Sequence, residues 1–269
     1  MELTAQFATD EVTQAFKAGN LAGARELLQN KIRAAASDVR LRLSLLQLLC
    51  VLGEWDRART QLEVVESLDS DDKTWINLLG PALMGESLRR DVFAGRTTPL
   101  VLGEPSEWIA KLIQSLKAAD PAVQALLRSD AFEAAPAVAV KVNGEERPWL
   151  ADADSRLGPV LEAIMEGKYY WIPFDRIRRL SLSPPTDMRH LVWLPVQATW
   201  VTGGESAILV PTRYCGTELT KEPSLCQARR TTWEEISPGQ FRGLGQRMLT
   251  AGEHDYPLLD VRTVEWSGA

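Results

Sequence analysis

The residues best placed to do chemistry are in the run Asp152-Ala153-Asp154-Ser155-Arg156-Leu157-Gly158. Two aspartates two positions apart could share a cation. A calcium loop, however, needs further oxygen ligands and a late glutamate at fixed spacing. Here Arg156 stands at a ligand position and would repel the ion. The ordinary reading is an Asp–Arg network that braces a turn; the alternative makes Asp152, Asp154 and Arg156 the polar centre of an enzyme. The two histidines, His190 and His254, form no paired-histidine metal motif. The three cysteines, Cys50, Cys215 and Cys226, show neither zinc spacing nor a redox pair. A thiol–imidazole pair of Cys215 with His254 has no local sequence support. There is no Gly-x-Ser-x-Gly elbow and no phosphate-cradling loop. The residues therefore propose no catalytic group, no metal and no cofactor.

What must position that run is a chain of 269 residues, long enough for two cores. The apolar fraction of 45% and charged fraction of 25% are those of a globular protein. Thirty basic against 36 acidic residues give a formal charge of −6, which opposes generic binding to phosphate backbones. The densest basic groups, Arg176, Arg178 and Arg179 and the pair Arg229 and Arg230, read as solvated or ion-paired. No apolar run reaches the roughly 18 residues of a membrane span, and no signal-peptide pattern opens the chain. The expectation is a cytoplasmic protein with reduced cysteines and no nucleic-acid or membrane partner.

The first half repeats itself. Gly19-Asn20-Leu21 and Gly53-Glu54-Trp55 are 34 residues apart, and Ala24/Ala58, Leu28/Leu62, Leu45/Leu79 and Leu49/Leu83 keep that offset. Thirty-four is the tetratricopeptide period, in which each helical hairpin must stack on the next to cover its apolar face. First helices are expected near Thr4–Ala18, Val39–Leu52 and Lys73–Met84. The third unit, to Gly95, is degenerate, with Val92 where alanine is expected. After a loop at Arg96–Gly103, Ser106 can cap a helix through Lys117, and Asp120-Pro121 can open another to about Phe132.

Beyond Pro136 the pattern changes to short alternating runs and tight turns. Asn143-Gly144, Glu166-Gly167 and Thr202–Glu205 each separate two strand-like segments. Thr186–Leu191 reads as a short helical turn. The fold class expected is α+β in two domains: a tetratricopeptide-like α-helical domain over 1–135 and a β-rich, barrel-like or curled domain over 136–269. Six of the nine tryptophans fall in the second part. They fill its core or mark a binding face; on the second reading Trp171, Trp193 and Tyr214 are walls of a partner groove.

Six ordered stretches carry a family resemblance: DADSRLGPVLEAI (Asp152–Ile164), YYWIPF (Tyr169–Phe174), LVWLP (Leu191–Pro195), PTRYCG (Pro211–Gly216), ARRTTW (Ala228–Trp233) and GLGQRML (Gly243–Leu249). With them the second half strongly resembles the ImpE/TagJ family of type VI secretion accessory proteins. The helical half matches more loosely, around Gly19–Leu28. Cys215 departs from a common proline, and His190 from a common aspartate. The resemblance implies a non-enzymatic accessory protein that binds the small subunit of the contractile sheath. It implies an effect on sheath assembly, or on recycling by the associated unfoldase. It brings no catalytic residue. An amphipathic helix is the kind of partner such a scaffold takes. The polar motif residues Asp152, Asp154, Arg156, Arg213, Arg229, Gln246 and Arg247 are expected to be structural. For the four arginines the expected partners are carboxylates or carbonyls inside the second domain.

Overall fold

The computed structural model describes residues 7–68 and 73–267. Two helical hairpins open it: α1 (Asp10–Lys17) with α2 (Leu21–Ala34), and α3 (Val39–Leu52) with α4 (Trp55–Ser67). Part of the first helix expected from Thr4 lies outside the described residues; the described helix starts at Asp10. Gly19 and Gly53 both take the left-handed conformation, φ 78° and 68°, at the two turns. A side chain there would be strained, so the glycines are the period's fixed points. Asn20 and Asp38 cap α2 and α3 by accepting backbone N–H bonds. Ala24 and Ala58 are fully buried where the hairpin helices cross.

The third repeat unit is not a hairpin. Ser87 occupies the place of Gly19 and Gly53, so nothing breaks the helix, and α5 runs unbroken over Lys73–Phe93. Then follow the two-residue strand β1 (Leu100–Val101), α6 (Glu107–Lys117) and α7 (Pro121–Ala134), the last capped by Asp120. Strand β1 corrects the expectation of a loop over 96–103. It pairs parallel with β6 at Tyr170 and Trp171, supplying partners that an edge strand otherwise lacks.

The second half is built from β2 (Val140–Val142), β3 (Glu145–Arg147), β4 (Ala151–Asp152), β5 (Val160–Met165), β6 (Lys168–Pro173), β7 (Ile177–Leu182), β8 (Trp193–Trp200), β9 (Glu205–Pro211), helix α8 (Pro223–Cys226), β10 (Thr231–Ser237), β11 (Gln240–Gly245), β12 (Met248–Ala251), β13 (His254–Pro257) and β14 (Thr263–Trp266). Nine strands form one sheet in the order β1-β6-β5-β9-β8-β7-β14-β2-β3; β13-β12-β4 and β10-β11 form two small ones. The turns at Asn143-Gly144 and Glu166-Gly167 have positive φ at both residues, the geometry that matches strand twist in two-residue hairpins.

The apolar core runs through both halves as one cluster. The β-rich half docks chiefly on the first helices of the repeats. β5 and β6 pack on α5, and the 3-10 turn Met188–Leu191 packs on α3. Gly85 makes the close approach possible: a Cβ there would lie 2.6 Å from the Ile164 side chain. Trp55 of α4 meets Trp193 of β8 with ring centroids 6.0 Å apart.

Candidate functional site

The densest polar chemistry is buried where the halves meet. Glu162 on β5 is fully buried and accepts from four directions. Arg89 of α5 donates through Nε at 2.6 Å and Nη2 at 3.1 Å, and Arg247 and the Tyr169 hydroxyl complete the set. Arg247, in the link between β11 and β12, reaches Asp152 at 3.1 Å and the Pro211 carbonyl at 3.1 Å. The other Asp152 oxygen accepts from the Asp154 backbone N–H and the Tyr214 hydroxyl. Asp154 takes a two-pronged contact from Arg156, at 2.9 and 2.6 Å, and the N–H of Gly243. Glu86 of α5 accepts from the Trp193 indole at 2.9 Å.

Arg89, Arg247 and Arg156 thus pair with Glu162, Asp152 and Asp154 at depths where an unpaired charge is costly. The motif aspartates spend their oxygens on protein donors, and Arg156, Arg213 and Arg247 spend N–H groups on protein acceptors, whereas Arg229 is exposed with a single such bond. Such an arrangement holds elements together. Among the described residues no group of three or more His, Cys, Asp or Glu side chains is placed to hold a metal. Burial pushes the Cys50 and Cys215 thiols up to about 12, far from the thiolate form.

The two carboxylates that share Arg247 titrate in opposite senses. Burial, only partly offset by Arg247, pushes Asp152 up to about 7 from 3.8. Burial alone would raise Glu162 as well, but Arg247 and Arg89 hold it down at about 2. A raised folded value means stability present at low pH and lost as pH rises through the folded value. Asp152 therefore makes the protein less stable between pH about 4 and about 7. Glu162 acts the other way, its contribution vanishing only as pH falls through about 2. Urea unfolding across this range should show stability falling towards neutrality. Asp152→Asn should flatten that decline without abolishing it, because burial raises Glu86 too. An unchanged slope in the variant would contradict the assignment.

A second set of contacts was not anticipated. Arg213 donates to the Val51 carbonyl at 2.6 Å and the Cys50 carbonyl at 3.2 Å, at the end of α3. Gln227 donates to Phe16 at 2.6 Å, and Arg229 to Lys17 at 2.8 Å, at the end of α1. Phe16 and Cys50 are 34 residues apart, as are Lys17 and Val51. The β-rich half thus reaches the same pair of carbonyls in both repeats; those of Phe16 and Cys50 also accept the Gly19 and Gly53 N–H, while Lys17 and Val51 take cationic donors that suit the helix dipole. Arg213 and Arg229 were expected to find partners inside their own half. Arg229 reaches the helical half, and Arg213 reaches both, since it also donates to Cys226 at 2.5 Å. Gln246 ties the same region, donating to Ala228 and accepting from Leu259.

Trp171, Trp193 and Tyr214 are not groove walls in this structure. They are 0%, 2% and 1% exposed, and each ring sits in the core with its polar atom bonded inside. Trp233, packed on Tyr214 at 5.6 Å, is the most exposed tryptophan among the described residues. Two clefts do open to the surface. One, of about 420 Å³, lies between the end of α7 and β4; the other, of about 300 Å³, lies between α5 and β8.

Comparison with known proteins bears on both halves. The family model described as ImpE protein matches residues 144–265, and a tetratricopeptide repeat model matches residues 15–80. The chain is 41% identical, over 93% of its length and 89% of the relative's, to a Pseudomonas aeruginosa protein named type VI secretion system accessory component TagJ. The crystal structure of protein VPA1032 from Vibrio parahaemolyticus superposes with a TM-score of 0.89. It has 26% identity and covers 96% of this chain and 98% of that one.

Proposed function

The chain belongs to the ImpE family, and from that premise we propose that it is an accessory protein of a type VI secretion system that binds the small subunit of the contractile sheath and catalyses nothing. The observation that carries this is the extent of the match to the TagJ component, which takes in both halves of the chain. The polar network supports a scaffold, since its charged groups are consumed in internal pairs, and one of these, Arg89 with Glu162, joins the halves. An amphipathic helix of the subunit is the segment proposed to dock, with sheath assembly or recycling as the process affected. We place the protein in the cytoplasm; no helix among its described residues is long and apolar enough to cross a membrane. The first helices of the repeats are already engaged by the β-rich half, which favours a partner surface elsewhere.

Calorimetric titration of the full chain with the small sheath subunit of the same organism tests this. Saturable heat is expected below about 100 μM, a range that still registers weak contacts. No heat, and no co-purification at that concentration, would sink direct binding.

A further inference from the structure

The larger cleft is an open apolar feature that touches the Asp152–Gly158 motif. Phe132 and Pro136 form one wall, Trp149 and Pro159 another, and Ala151 and Thr250 the floor. Its volume of about 420 Å³ falls within the range of ligand pockets. The motif builds it: Gly158 has φ 57°, and a Cβ there would lie 2.2 Å from the Phe132 ring. Only glycine therefore lets the end of α7 close on the motif loop. The carboxylate of Asp152 is turned inward to Arg247 and Tyr214, so little polar chemistry faces the cavity.

The rim is negative from two sides. Asp255 pairs in register with Thr250 across β12 and β13, and directly opposed residues share a face, so its side chain leaves the sheet on the cleft side. Its carboxylate is exposed and has no ion-pair partner among the described residues. Helix α7 also ends here with no basic residue in its last turn, so the negative end of its dipole is left uncompensated beside Ala135 and Pro136.

We propose that this cleft docks the large apolar side chains of a protein segment flanked by Lys or Arg. Resting on the function proposed above, that segment belongs to the small sheath subunit. The apolar walls take the anchors, and the negative rim, within a chain of net charge −6, selects basic flanks.

The test uses the full chain and three fluorescent peptides: a Leu-Trp-Leu core with Lys flanks, the same core with Glu flanks, and a Gly-Ser core with Lys flanks. The first should bind, and the other two at least about tenfold more weakly. Thr250→Trp, which fills the floor, should abolish binding. Asp255→Lys should weaken the preference for Lys flanks at least several-fold. Equal binding of Lys- and Glu-flanked peptides, or binding untouched in folded variants, would overturn the proposal. Capture of the small subunit by the same variants separates the two readings. If the wild-type chain captures it and the variants capture it equally, the cleft assignment falls and the function stands. If the wild-type chain captures nothing while the Lys-flanked peptide still titrates as expected, the function falls and the cleft stands.

Discussion

Arg247→Met should lower the unfolding free energy by about 3–5 kcal/mol, the usual cost of removing one partner from a buried ion pair. Arg247 is fully buried and holds Glu162, Asp152 and the Pro211 carbonyl together. Methionine fits the space but leaves Glu162 with Arg89 alone, and Asp152 with no cation. A chain of this size should melt roughly 10 °C lower. Because Glu162 also holds Arg89 of α5 across the junction, both halves should lose protection together. Adding Asp152→Asn to the variant should return part of the loss, since Asp152 is the buried carboxylate left with no cation. Differential scanning calorimetry of the single and double variants checks this; a single variant that melts within about 1 °C of wild type would refute it.

Arg213→Ala has the second largest expected effect, about 2–4 kcal/mol, and a different distribution. It strips the donor from the buried carbonyls of Val51, at the end of α3, and Cys226, and one of two donors from that of Cys50. Carbonyls left without donors at a buried helix end are costly, and the alanine leaves a cavity. The loss should fall on α1–α4, with the nine-stranded sheet largely intact. Hydrogen exchange read peptide by peptide shows which occurs. Uniform acceleration across the sheet would mean that Arg213 supports the β-rich half rather than the junction.

Much of the fold was legible because its signals are local. The 34-residue period, the glycines at its turns, Asp120-Pro121 and the two-residue hairpin turns all act through nearby backbone geometry. What the residues did not reveal is non-local. Ser87 in place of a glycine marks the missing turn in α5, yet only packing on β5 and β6 decides that the helix runs on. Strand β1 has two residues, and its strand character comes from β6. The polar motif residues were readable as structural types, but not as a junction. That Arg213, Gln227 and Arg229 cap α1 and α3 needs a contact across about 160 to 210 residues, which no spacing announces. The tryptophans misled for a related reason: Trp171 and Trp193 are large because the helix–sheet junction must be filled, a demand invisible from either half alone.

The central claim is that the two halves form one clamped body which meets its partner outside the first-helix face. Hydrogen–deuterium exchange of the full chain, with and without the small sheath subunit, tests it most directly. The expected result is slowed exchange confined to residues 130–137 and 149–159 and to β12–β13, with α1, α3 and α5 unchanged. New protection along α1, α3 and α5, or faster exchange at their capped ends, would contradict it, because the subunit would then be displacing the β-rich half from the repeats.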